Sequence, residues 1–408
     1  MATDVARADA FSVDDIEASL ARYIDFGVKH AGGPGDEACG AWLESTVRDT
    51  GFATTRQTFD APFFTSQDCA LVIGDARIPL LAQAPVVTSS GLTAPIVVRS
   101  PGASPPARGA IVVAPLSYRR WSTALAPEIT AAVDLATREG AIALVLVTNG
   151  PTGEAVALNV DVHTAWPLPV AVLAPKDAAP VFAAAARGAR ATIVLQGVTG
   201  VRPVWNLVAT LDRGKGRRVV VSTPRSGWTI CAGERGGGVA AWLALAKWAP
   251  RALRNNDLTF VCTSAHEYEY LGGEHFLKSA HAPKPEETHL WAHLGANFAA
   301  RDWHEFGAGR LAPLPSIDPQ RVLMGAQDLL PVLRETFRGA PGLESPYPSN
   351  EGAAGELASV LNAGHRRAFG IFGAHRFHHV AGDDARCVDA RHVAATAVMM
   401  KEAIRRLA

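Results

Sequence analysis

From Trp205 to Asn297 the chain alternates apolar β-type runs with helical ones, and this alternation restricts the fold more than any other feature. NLVATLD, RRVVVST, LTFVCTS and LWAHLGAN are rich in β-branched and apolar residues, while GGVAAWLALAKWA and YLGGEHFLKSA between them read as helices. Strands that alternate with helices build a sheet covered on both faces. The expected class is therefore α/β, a three-layer sandwich around a mostly parallel, mixed central sheet. AFGIFG supplies a late strand, and a closing helix from Ala390 to Leu407 carries Val393, Ala394, Ala397, Val398 and Ile404 as its apolar residues.

The N-terminal half has a different texture. Two amphipathic helices, over 14–26 and 37–49, flank AGGPGD, and GFATTRQTFDAPFF follows as a strand. Between about Phe64 and Gly200 the β-type runs shorten: ALVIG, IPLLA, APIVVRS, GAIVVAP, ALVLVTN, LPVAVLA and ATIVLQG, with helices PEITAAVDLATREG and APVFAAAARG among the later ones. The chain of 408 residues thus divides into residues 1–63 with 201–408, and an inserted β-rich α/β domain over 64–200. Lys plus Arg and Asp plus Glu are both 39, so no net field draws nucleic acid or an anionic membrane, and a small-molecule or short peptide-like substrate is expected. The first residues are acidic where a secretion signal needs a basic start and an apolar run, and no later stretch is long and apolar enough to span a bilayer. A cytoplasmic location is the expectation. Five cysteines without CxxC spacing read as reduced, buried side chains. A sheet edge or the insert is a candidate face for a homodimer.

In an open parallel sheet, ligands collect beyond the carboxyl ends of the strands. Three loops there are dense in functional groups. The first runs Pro224-Arg225-Ser226-Gly227-Trp228 and then Cys231-Ala232-Gly233-Glu234-Arg235 into three glycines. The second is Ala265-His266-Glu267-Tyr268-Glu269-Tyr270-Leu271-Gly272-Gly273, and the third is Arg376-Phe377-His378-His379-Val380-Ala381-Gly382-Asp383-Asp384. Carboxylates and imidazoles from separate strand ends suit convergence on one metal.

These loops resemble the zinc-dependent aminopeptidases and glutamate-carboxypeptidase-like enzymes, in which a strand ends in H-x-D, a D-x-x-S-G turn opens a helix, another strand ends in A-E-E-x-G-x-x-G and a late Y-H-T-x-x-D supplies a histidine. The insert resembles the protease-associated domain. Carried over by position, the resemblance puts Pro224-Arg225-Ser226 where H-x-D stands, so a zinc histidine and the aspartate that orients it are lost. The bridging carboxylate falls on Glu234, the general base on His266, the second glutamate on Glu267 and the last histidine on His379. The later aspartate falls on Gly295, with Asn297 close by. Both private ligands of one metal are thereby absent. The resemblance implies one zinc ion on Glu234, Glu267 and His379 with an open position, a reduced set like that of the glutaminyl cyclases.

The implied activity is hydrolysis of an amide or peptide-like bond in a small, carboxylate-bearing substrate. His266 would be the base, Arg225 and Arg235 would hold the carboxylate, and Trp228 and Asn297 would line the substrate site. Gly236 to Gly238 would let the backbone approach a ligand, and the helix they open would offer N–H groups to an anion. Two alternatives stay open. One is a metal-independent hydrolase with Ser226 as nucleophile, His266 as base and Glu267 or Glu234 as orienter. The other is a catalytically silent, ligand-binding relative in which Glu234 and Glu267 pair with Arg225 and Arg235 in place of a metal. The insert is expected to roof the cleft and select short substrates.

Overall fold

The structure is a computed structural model that describes residues 9–99, 106–307 and 309–408. Helix α1 (Val13–Asp25) begins on Ser12, whose hydroxyl accepts the Asp15 N–H at 3.2 Å, and α2 (Pro34–Arg48) begins on a proline that needs no donor there. The chain then lays down β1 (Ala53–Ile73), β2 (Ala76–Ala82), β3 (Ser89–Val98), β4 (Ile111–Pro115), α3 (Pro127–Arg138), β5 (Ala143–Val147), β6 (Val170–Leu173), α4 (Ala178–Ala186) and β7 (Arg190–Leu211). After these come β8 (Arg218–Pro224), α5 (Gly237–Ala252), β9 (Asp257–Thr263), α6 (Leu271–Leu277) and β10 (Thr288–Leu294). The chain closes with β11 (Arg301–Gly307), β12 (Arg310–Ile317), β13 (Arg321–Gly325), α7 (Leu330–Thr336), β14 (Tyr347–Pro348), α8 (Glu356–Asn362), β15 (Ala368–Gly373) and α9 (Ala390–Leu407). Among the described residues no helix is long and apolar enough to cross a membrane.

Thirteen of the described strands join one mixed sheet in the order β1-β2-β6-β5-β4-β3-β7-β9-β8-β10-β15-β13-β14, and β11 pairs with β12 apart from it. The expected parallel set is present: β8 lies parallel to β9 and β10, and β10 to β15. Alternate side chains along these strands go to opposite faces. Val219 and Val221 of β8, with Leu290, Ala292 and Leu294 of β10, pack under α1, α5 and α9, while Val220 and Trp291 pack with Phe276 of α6 and Leu357 and Val360 of α8. Helices on both faces of one sheet make the three layers.

β1 and β7 pair antiparallel from Ala53 opposite Thr210 to Val72 opposite Thr192, with one register shift between Ser66 and Asp68. This ribbon carries the chain out to the insert and back. The limits read from sequence, 63/64 and 200/201, fall inside its two strands. Within residues 64–200, the expected insert, Leu71, Ile96, Val113, Val145 and Ile193 are buried together in one hydrophobic cluster. A further buried cluster, with Trp121 and Leu158 of the insert beside Tyr268, Phe377 and Val380, ties it to the strand-end loops.

The start of α2 is anchored to the strand ends by one buried ion pair. Arg225 Nε lies 2.9 Å from Asp36 Oδ1, Nη1 donates to Cys262 O at 3.0 Å and Nη2 to Trp205 O at 2.7 Å, and both charged side chains are fully buried. Arg225→Met leaves the Asp36 carboxylate without its partner and is expected to cost about 3–5 kcal/mol of stability. Urea unfolding measures this, and an unchanged midpoint would contradict the role given to the pair.

Candidate functional site

The carboxyl ends of β8, β9, β10 and β15 face one way, and the loops that leave them line one pocket together. Six residues other than glycine have left-handed backbone among the described residues: Cys231, Ala265, Glu269, Tyr270, Asn297 and His379. All six lie in these loops. Such backbone is costly outside glycine and concentrates where geometry is imposed by a site.

The loop after β8 enters α5 through a π-helical turn, Ala232–Gly236. The Asp383 carboxylate, from the loop after β15, accepts the Gly233 N–H at 2.6 Å and the Glu234 N–H at 3.1 Å. An acidic side chain therefore already occupies the start of this helix, and the expected anion site there is taken by the protein itself. The glycines that follow also serve packing. A Cβ on Gly237 would meet Val393 at 3.3 Å, and one on Gly238 would meet Thr223 Oγ1 at 3.1 Å. His375, fully buried, stands 3.3 Å from Asp383 Oδ2; burial disfavours its charge, but Asp383 outweighs that and raises its pKa. Cys387 lies close enough for His375, Asp383 and Cys387 to form a group of metal-ligand type.

Glu234 emerges from this turn into a buried cluster with His378 and His379, whose ligand-type atoms lie within 4.8 Å of one another. Its Oε1 receives Arg235 Nη2 at 2.6 Å and lies 3.1 Å from His379 Nε2. The two histidine rings stack at 3.9 Å, and His378 Nε2 lies 3.3 Å from Ser122 Oγ of the insert. Glu234 Oε2, His378 Nδ1, His379 Nδ1 and Arg235 Nη1 are buried and have no hydrogen-bond partner among the described residues. Burial pushes the Glu234 carboxyl up, but Arg235, His379 and His378 outweigh it and hold its pKa well below the ordinary value. One carboxylate and two imidazoles with unsatisfied atoms fit a divalent cation chemically. The guanidinium on Glu234 opposes one.

Beside the cluster is a pocket of about 170 Å³ lined by Arg235, His266, Tyr270, His293, His378 and His379, with Ser122 and Asn159 reaching in from the insert. His266 Nδ1 lies 3.1 Å from Glu356 Oε1, which also accepts the Thr263 hydroxyl at 2.7 Å. His293 Nδ1 lies 2.9 Å from Ser222 Oγ, which accepts the Trp291 indole N–H at 2.8 Å. Burial lowers the pKa of His266 well below the ordinary histidine value and takes His293 down to about 4.

Of the residues singled out in the sequence, Glu234, Arg235, His266 and His379 converge here. Others do not. Arg225, expected on a substrate carboxylate, is held in the interior by Asp36, Cys262 O and Trp205 O, so that expectation is corrected. Glu267 stands outside the cluster: its Oε1 accepts the Ala31 N–H and its Oε2 the Ser226 hydroxyl, both at 2.7 Å, and His378 stands with Glu234 and His379 instead. Ser226 Oγ is engaged by Glu267 and by the backbone N–H of His266 and has no hydrogen bond to the imidazole among the described residues, which removes the geometric basis of a serine nucleophile. The proposed replacement network of Glu234 and Glu267 with Arg225 and Arg235 exists only as the Glu234–Arg235 pair. Trp228 lies behind the pocket, donating to Asn159 Oδ1 at 2.9 Å, and Asn297 donates to Gln320 O at 2.9 Å. Neither lines the pocket. At Gly295, a Cβ would meet Ile371 O at 2.7 Å, so no carboxylate has room where the resemblance calls for one.

The large mixed sheet between two helical layers is a zinc-aminopeptidase-like fold. The zinc aminopeptidase BSAP of Bacillus subtilis superposes with a TM-score of 0.75 at 15% identity, covering 97% of this chain and 95% of that one. The peptidase M28 precursor of Shewanella amazonensis SB2B gives 0.69 at 17% identity over 98% and 92%, and the aminopeptidase of Aneurinibacillus sp. strain AM-1 gives 0.67 at 15% over 97% and 94%. No protein-family profile matches the sequence, and none of the curated proteins compared with it does.

A buried histidine held neutral makes stability depend on pH. With a folded value of about 4 against the ordinary 6.5, His293 contributes stability that is complete above 6.5 and is lost as pH falls towards 4, because only the unfolded chain binds the proton. The full loss is about 3 kcal/mol. His293→Gln is expected to flatten the fall in urea midpoint between pH 7 and 5 relative to the parent; parallel curves would contradict it.

Proposed function

We propose that the protein is a hydrolase of an amide or peptide-like bond in a small, carboxylate-bearing substrate, with one zinc ion on Glu234, His378 and His379 and with His266 as base. The observation that carries this reading is the cluster of Glu234, His378 and His379, each with a buried side-chain atom that has no hydrogen-bond partner among the described residues, beside a pocket lined by His378, His379 and His266. Aminopeptidase activity in the similarly folded proteins supports the reaction class, and the zinc named for BSAP supports the choice of ion. Held there, zinc supplies Lewis-acid polarisation of a carbonyl oxygen and acidifies water.

The protein's own groups supply the rest. His266 lines the pocket and would take a proton from water and return one to the leaving nitrogen; burial lowers its pKa, which makes it the weaker base but the readier donor to that nitrogen. Arg235 Nη1, unpartnered and buried, suits a substrate carboxylate. A pocket of about 170 Å³ roofed by Ser122 and Asn159 suits a short substrate rather than an extended chain.

A second reading is favoured by one contact. Arg235 Nη2 at 2.6 Å from Glu234 Oε1 already compensates the carboxylate, as a metal-free, catalytically silent ligand-binding protein would require. The two readings separate on a panel of N-acylated amino acids and dipeptides assayed with and without added zinc. The hydrolase reading predicts turnover that falls about 10²–10⁴-fold in His266→Ala and is lost in Glu234→Gln, with circular dichroism unchanged in both. Absence of turnover across the panel in either condition supports the silent binder.

A further inference from the structure

The two histidines of the pocket have different partners behind them. Ser222 Oγ accepts the Trp291 indole N–H, and the one acceptor within hydrogen-bond reach of its own hydrogen among the described residues is His293 Nδ1, 2.9 Å away, so that hydrogen is directed there. That nitrogen is then the acceptor. The single hydrogen of the neutral ring must sit on Nε2. Gly295, which also lines the pocket, is the residue whose Cβ would approach this Nε2, at 3.4 Å. Behind His266 the partner is the reverse kind. Glu356 Oε1, a carboxylate oxygen that accepts the Thr263 hydroxyl at 2.7 Å, lies 3.1 Å from His266 Nδ1 and calls for a hydrogen on it, leaving Nε2 with a lone pair. Neither Nε2 has a hydrogen-bond partner among the described residues, while both rings line the same pocket.

We infer that the pocket holds its two histidines in opposite tautomers, His266 presenting a proton acceptor and His293 a proton donor, set respectively by Glu356 and Ser222. The assignment of tautomers stands on the hydrogen bonds alone; its chemical use rests on the hydrolase reading above. In that use, the oxygen of water bonds to the amide carbon, and the proton released goes to His266 Nε2. As the C–N bond breaks, the same proton passes to the leaving nitrogen, giving an amine and a carboxylic acid. The carbonyl oxygen that gathers charge meanwhile accepts from His293 Nε2–H. Burial that keeps both rings neutral supports the arrangement, since a protonated ring has no acceptor to offer. His293 thus joins His266 as a group that meets substrate, and Glu356 and Ser222 are positioning residues.

The test is ¹⁵N NMR of ring-labelled histidine in the full-length protein at neutral pH, which reads the tautomer of each ring directly and needs no substrate. The expected pattern is hydrogen on Nδ1 of His266 and on Nε2 of His293. Glu356→Leu removes the acceptor and should release His266 into a tautomer mixture, whereas Glu356→Gln keeps a carbonyl oxygen and should hold the parent pattern. Ser222→Ala should release His293 and leave His266 alone. The same tautomer in both rings of the parent protein, which needs no variant to fold, would overturn the inference; so would an unchanged His266 pattern in Glu356→Leu. Opposite tautomers in a protein that hydrolyses none of the amides tested would uphold the inference and count against the hydrolase reading.

Discussion

The site depends on one carboxylate, Asp383, that does not line its pocket. Asp383 reaches from the loop after β15 to the amides of Gly233 and Glu234 at the entry to α5, joining the segment that carries His378 and His379 to the turn that carries Glu234 and Arg235. Two elements far apart in sequence are thereby set in register at their functional ends. His375 behind Asp383 braces it, and Gly233 cannot be enlarged, because a Cβ there would meet His375 Cε1 at 2.6 Å. The left-handed backbone at Cys231 and His379 is the conformational cost of aiming both loops inward.

What the loops bring together is a contest between two ways of stabilising a buried carboxylate. Glu234 Oε1 is shared by a guanidinium and an imidazole, and Oε2 is left over. A bare carboxylate in such a place would be strongly disfavoured, and one charged hydrogen bond from Arg235 already offsets much of that penalty. The unsatisfied buried atoms of Glu234, His378 and His379 weigh the other way, because each buried polar atom without a partner costs about 1–3 kcal/mol and a cation would relieve any that face it. Gly295 is closed to any side chain, because a Cβ there would meet Ile371 O at 2.7 Å, so no carboxylate joins the cluster from that position.

The fold was legible because it is written in periodicity. Strands buried on both faces and helices with one apolar stripe are patterns, and β8, β9, β10, β15, α5 and α9 all fall where the runs of RRVVVST, LTFVCTS, LWAHL, AFGIFG, GGVAAWLALAKWA and the closing helix put them. The hairpin of β11 and β12 and the helices α7 and α8 were missed, since their stretches are short, polar and without a clear period. The site was legible only in part. Motif spacing located Glu234, His266 and His379, but a side chain's direction depends on the backbone left- or right-handedness at single residues. Left-handed Ala265, directly before His266 and Glu267, has no sequence signal, and Glu267 is found on Ser226 and Ala31 rather than among the histidines. His293 did leave a trace as a polar residue inside the apolar run LWAHL, where a strand buried on both faces has to pair it with something. Glu356 left none, for nothing in the sequence links the first turn of α8 to a loop ninety positions earlier.

The central claim, that Glu234, His378 and His379 form one cation site despite Arg235, is tested most directly by metal content. Purified protein would be analysed by plasma mass spectrometry before and after chelator dialysis and zinc readdition, alongside Glu234→Gln and His379→Ala. The proposed site predicts about one zinc per chain in the parent protein, regained after readdition, and substoichiometric metal in both variants. A folded parent protein that takes up no divalent metal, or variants that bind it as well as the parent, would contradict the claim.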